Sequence, residues 1–162
     1  MTVALRHNAA LELNRVEFSG SVTAAELAAL ADFQSDHPRW LPYDCLNIIL
    51  PHADFDSIAF DSLNGIFVKY RSLFEPMQFV ILRRSAWICQ SLAAEAHLHH
   101  WMANRNTRDG MSTDVRRFNS IAEACDWLIL SAPHAADAES GAGFDDIIRY
   151  TLPAEPARVA AR

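Results

Sequence analysis

Cys45-Leu46-Asn47-Ile48-Ile49-Leu50, closed by Pro51, is the stretch that decides the fold class. A short, nearly continuous apolar run suits a central strand covered on both faces, the usual state of parallel sheets. Gln78-Phe79-Val80-Ile81-Leu82 repeats that signature further along. Between the two runs, Leu63, Ile66, Phe67, Tyr70 and Phe74 follow the spacing of a buried helix face. Ser57 stands where that helix should begin, and Pro76 closes it. Strand, helix and strand in this order predict a parallel β-α-β unit.

Working outward toward the amino end, Leu11, Leu13, Val16 and Phe18 sit among Glu12, Asn14, Arg15 and Glu17. This near alternation predicts a half-buried strand over about Ala10–Phe18, with Val3–His7 as a short strand before it and a turn at Asn8-Ala9. Thr23-Ala24-Ala25-Glu26 has capping-box spacing, and Leu27, Leu30, Ala31 and Gln34 continue at helical intervals. The helix should stop before Pro38.

Toward the carboxyl end, Trp87 to about Asn104 reads as the third helix, and Met111–Phe118 should hold the last strand. Ser120-Ile121-Ala122-Glu123 is a second capping box, leading a helix lined by Ile121, Ala124, Cys125 and Leu128. The expected order is β-β-α-β-α-β-α-β-α. It implies an α/β domain over residues 1–130, with a mixed, mostly parallel sheet of four or five strands and about four helices. From Ser131 the composition turns to Ala, Pro, Gly and acidic residues. Residues 131–162 therefore read as a mostly flexible tail, with a short docking element at 144–152.

The chain has 162 residues, a hydrophobic fraction of 51%, a charged fraction of 21% and a formal charge of −6. This is globular composition, and the acidic balance argues against a nucleic-acid partner. No apolar run is long enough to span a bilayer, so stable membrane insertion is not expected. Met1–His7 lacks a basic segment followed by an apolar core, so the expected location is the cytoplasm. Cys45, Cys89 and Cys125 are odd in number and widely spaced, which predicts small buried apolar residues instead of disulfides or a zinc site.

Few stretches carry chemistry. Glu95-Ala96-His97-Leu98-His99-His100 looks like a ligand cluster. A helical face through Trp87, Ile88, Leu98 and Met102, however, would send His97 and His100 to solvent and His99 to the flank. A metal needs three or four convergent ligands, so neither a metal nor a cofactor is expected. No nucleophile elbow, dinucleotide loop or phosphate loop is present, and no enzymatic constellation emerges. Arg83-Arg84 and Arg116-Arg117 are basic pairs at strand ends. They read as surface charge, with an anionic ligand or partner as the sharper reading.

Val16-Glu17-Phe18-Ser19-Gly20, Val22-Thr23-Ala24-Ala25-Glu26-Leu27 and Arg117–Leu128, in the order above, resemble the SpoIIAA-like (STAS-like) family of small bacterial domains. Among its anti-sigma-factor antagonists, a helix opens after the second central strand with Asp-Ser-[Ser/Thr]-[Gly/Ala], whose serine is phosphorylated. This chain reads Asp56-Ser57-Ile58-Ala59 there, with Asp54 close by. The resemblance implies a non-catalytic, regulatory protein-interaction module. Ser57, Asp56 and Asp54 would form its phosphorylation or partner site, and its partner would be another protein or a second copy of the chain. The alternative is a small-ligand or lipid-binding domain, since lipid-transfer CRAL-TRIO domains share a similar β-α arrangement. A closed apolar cavity between sheet and helices would favour that alternative.

Overall fold

A computed structural model describes residues 2–75, 83–103 and 113–151. Its strands are β1 (Val3–Asn8), β2 (Leu13–Phe18), β3 (Asp44–Ile49), β4 (Arg83–Cys89), β5 (Thr113–Phe118) and β6 (Asp145–Tyr150). Its helices are α1 (Ala24–Asp36), α2 (Phe60–Phe74), α3 (Glu95–Ala103), α4 (Ile121–Trp127) and α5 (Ala132–Ser140). The strands form one mixed sheet in the order β5-β4-β3-β2-β1-β6. β2 through β5 pair in parallel, and β1 runs antiparallel to both β2 and β6.

The topology follows from the handedness of crossovers. Steps from β2 to β3, β4 and β5 all move one way across the sheet, so right-handed connections place α1, α2 and α3 on one face. The return from β5 to β6 moves the other way and carries α4 and α5 over the opposite face. The packing agrees. Val16, Phe18, Cys45 and Ile49 share a core with Leu30, Leu63 and Leu98, while Leu46, Ile48, Ala86 and Ile88 pack on Ala124, Cys125, Leu128 and Ala138. Cys45–Leu50 is thus the doubly covered central run its composition suggested, with strand bounds at Asp44 and Ile49.

Both capping expectations hold. Thr23 Oγ1 accepts from the Glu26 amide at 3.3 Å, and Glu26 returns a carboxylate to the Thr23 amide at 2.9 Å. Ser120 Oγ accepts from the Glu123 amide at 3.2 Å, while the Glu123 carboxylate reaches the Asn119 amide at 3.1 Å. Ser57 does not cap. α2 begins at Phe60 with Ala59 as its N-cap, because Ile58 is drawn into the core and holds the preceding turn out of the helix.

The second central strand is also corrected. Gln78–Leu82 lies outside the described residues, and the strand beside β3 is Arg83–Cys89. Trp87 and Ile88 therefore belong to β4, and the helix expected from Trp87 starts at Glu95. Ser85, Trp87 and Cys89 face α1–α3, whereas Ala86 and Ile88 face α4 and α5. This is the period of two of a buried strand, which a helical count across Gln90-Ser91 disguises.

The stretch assigned to a flexible tail is folded as far as Tyr150 and supplies a fifth helix and a sixth strand. Its anchor is electrostatic and polar, which composition conceals. Arg15, with a side chain only 8% exposed, pairs with Glu17 at 2.6 Å and donates to the carbonyls of Ala138 and Glu139 at the end of α5. Arg6 donates to the carbonyls of Gly141 and Phe144 and pairs with Asp146 at 3.2 Å. Hydrogen bonding from Arg149, with Arg6 assisting, holds the Asp146 carboxyl below the usual carboxylate range. Gly141 turns the chain at φ +76°, and a Cβ there would meet the Arg6 guanidinium at 2.5 Å.

Three outcomes follow for stability. Thr23→Ala and Ser120→Ala should each lower unfolding free energy by about 0.5–2 kcal/mol in denaturant titrations. Ser57→Ala, an exposed position outside the helix, should change it by less than about 0.5 kcal/mol. Arg15→Ala leaves Glu17 only the longer pair with Arg6 at 3.6 Å and takes the donor from two carbonyls inside the fold. It should cost about 3–5 kcal/mol, with β6 amides losing hydrogen-exchange protection first.

Candidate functional site

The two faces of the sheet are not filled alike. Under α4 and α5, Leu46, Ile48 and Ile88 meet the helices directly. Under α1–α3, the middle of the floor carries short side chains, Cys45 and Asn47 from β3, Ser85 from β4 and Thr113 from β5. Bulky residues stand around them: Phe18 and Trp87 on the sheet, Tyr70 and Phe74 on α2, and Trp101 on α3. Large side chains at the rim hold the helices away from a floor of small ones, and a cavity of about 90 Å³ remains. A single water needs roughly 10–15 Å³ on this scale, so the space suits a group of about six non-hydrogen atoms.

The aromatic wall is continuous. Trp87 stacks on Phe18 at 5.9 Å between centroids, and Trp101 meets Trp87 at 6.3 Å and Tyr70 edge-on at 6.3 Å. Leu63, Ile66 and Leu98 complete the apolar lining.

A few polar groups converge on this wall. Asn47, buried in the apolar run, donates to Ser85 Oγ at 3.1 Å and to the Ala86 carbonyl at 3.2 Å. Trp87 Nε1 also donates to Ser85 Oγ, at 3.1 Å, so that oxygen accepts twice and its own proton is left to donate. Tyr70 donates to Gln34 Oε1 at 2.7 Å, joining α1 and α2 over the cavity. His97 Nε2 lies 3.0 Å from the Ile58 carbonyl. A carbonyl only accepts, so Nε2 carries the proton and Nδ1 is a buried acceptor without a partner among the described residues.

Arg83 stands at the amino end of β4 on the cavity side, with its guanidinium 5.3 Å from the Phe74 ring centroid. Its Nε is buried without a hydrogen-bond partner among the described residues. Burial pushes the Cys45 thiol up, with the neighbouring Arg83 charge opposing it. Burial likewise raises Cys89 and Cys125, so all three thiols are poor nucleophiles.

The residues singled out from sequence lie elsewhere. Asp54 clips two loops together: its carboxylate accepts from Ser21 Oγ at 2.8 Å, and its amide and carbonyl bond Gly20 and Val22. Asp56 and Ser57 are exposed on the same loop, and Ser57 Oγ lies 3.3 Å from the Val22 carbonyl. None of the three lines the cavity. Ile58, the residue departing from the phosphorylation motif, is a core plug at 2% exposure.

The histidine cluster is split differently from the expectation. His97 turns inward, His99 is exposed, and His100 is half-buried, stacked on Phe60 at 4.5 Å. Trp87 and Ile88 lie on β4 and so do not set the apolar face of α3. The cavity itself had faint signals: one amide inside an apolar run at Asn47, and a glutamine on a buried stripe at Gln34.

Among the described residues, no group of three or more His, Cys, Asp and Glu side chains could hold a metal, and no helix is long and apolar enough to cross a membrane. Asn47→Ala removes one of the two donors to Ser85 and the donor to the Ala86 carbonyl, and should cost about 1–3 kcal/mol by chemical denaturation. No family model, curated protein or solved structure matches the chain.

Proposed function

We propose that this chain is a non-catalytic binding domain and that the cavity under α1–α3 is its ligand site, taking a small apolar molecule with a polar handle. The observation that carries this reading is the cavity itself, an aromatic-walled space of about 90 Å³ with a short-chained, partly polar floor. Binding pockets are typically concave and mostly apolar, with a few placed polar groups. A core that needed no ligand would gain stability from a larger side chain at Cys45 or Ser85. The finer fold assignment, a SpoIIAA-like (STAS-like) domain, belongs to the same proposal. The β-β-α-β-α-β-α-β-α order of residues 3–127 supports it, with α5 and β6 as additions.

The interaction-module reading has an observation of its own. Leu92 is 93% exposed and Phe60 45%, and the two flank the loop bearing Ser57. Ser91, beside Leu92, donates to the Ala53 carbonyl at 2.5 Å. Such single exposed residues are common on monomers, and the cavity is the more specific feature.

A neutral probe, cyclohexylmethanol, tests the ligand reading. At ten times its Kd it should stabilise the protein by about 1.4 kcal/mol in a thermal melt. Cys45→Met, which fills the floor with a flexible side chain, should stay folded and lose the effect. Equal stabilisation of wild type and Cys45→Met would place binding outside the cavity.

A further inference from the structure

We propose that Arg83 is the anion anchor of this cavity and that the natural ligand class is a small carboxylic acid with an apolar ring or short chain. The inference rests on the ligand reading above and adds the chemistry of the polar handle. Of the four arginines in the two basic pairs, three already face carboxylates. Arg84 is held by Asp44 at 2.6 Å, Arg116 by Asp114 at 2.9 Å and Arg117 by Glu95 at 2.6 Å. Arg83 forms no ion pair among the described residues. Its guanidinium is set instead against the Phe74 ring and hydrogen-bonds the buried Cys45 thiol, while its Nε is out of water and without a partner among the described residues.

A buried guanidinium N–H without an acceptor is costly, and a carboxylate is the group whose planar geometry matches the fork that carries it. Ser85 lies two residues along the same face of β4, and its hydroxyl already accepts from Asn47 and Trp87. It therefore has a proton to offer the same carboxylate. The apolar remainder of the ligand would lie against Leu63, Leu98 and Trp101. At about 90 Å³ the cavity suits the six-membered ring or comparably short chain of such an acid, with the carboxylate at the Arg83 edge of the lining. Phosphate groups, larger and more strongly hydrated, fit this lining less well.

The test compares cyclohexanecarboxylate with its neutral isostere cyclohexylmethanol by calorimetric titration of the full chain. Wild type should bind the carboxylate tighter on the order of tenfold or more, the return expected of a charge-assisted hydrogen bond away from water. Arg83→Gln, which keeps a planar group on Phe74, should erase that preference by weakening the acid alone. Arg83→Lys should restore part of it. Alcohol affinity should be the same in all three proteins, which also reports that each is folded. Equal affinity for acid and alcohol in wild type, or an acid preference that survives in Arg83→Gln, would overturn the Arg83 proposal while leaving the ligand reading intact. Failure of both probes to bind would overturn both.

Discussion

The structure depends on an imbalance between the two faces of one sheet. β3 and β4 are buried on both sides, so each alternate residue must satisfy a different layer. Toward α4 and α5 they present Leu46, Ile48, Ala86 and Ile88, which close-pack. Toward α1–α3 they present Cys45, Asn47 and Ser85, which cannot fill the same depth, with Trp87 standing beside them in the aromatic wall. Close-packed interiors tolerate few voids, and this one is lined by aromatic rings and by the hydrogen bonds that join Asn47, Ser85 and Trp87.

The return segment makes the imbalance stable. β6 closes the far edge of the sheet, and α5 packs over Leu13 and Phe144. They are held through Arg6, Arg15 and Glu17, a buried charged set whose remaining hydrogen bonds go to main-chain carbonyls. Such a set contributes specificity of docking more than net stability. It holds α5 against one face of the sheet, while the cavity lies under the helices of the other. A conformational response to ligand is therefore expected in α1–α3, not in α4 and α5.

The sequence conveyed what local patterns encode. The capping boxes at Thr23 and Ser120, the apolar run at Cys45–Leu50 and the stripe from Leu63 to Phe74 each depend on neighbours within a few residues, and each is found. The readings that failed depended on distant partners. β6 is a strand because β1 pairs with it and Arg6 reaches across, neither of which alters the composition of residues 131–150. Trp87 is a strand residue because β3 and β5 flank it. Ser57 loses its capping role because Ile58 is needed in the core. The cavity was least visible, since it exists only where Cys45, Ser85 and Thr113 from three strands lie side by side.

The central claim is that a ligand sits on this floor beneath α1–α3. The most direct measurement is intermolecular nuclear Overhauser effects between protonated cyclohexanecarboxylate and the deuterated, selectively Trp- and Leu-protonated protein. The account predicts contacts from the ring to the Trp101 and Trp87 indoles and to the methyl groups of Leu63 and Leu98. Contacts confined to an exposed residue such as Leu92, or none at saturating probe, would contradict it.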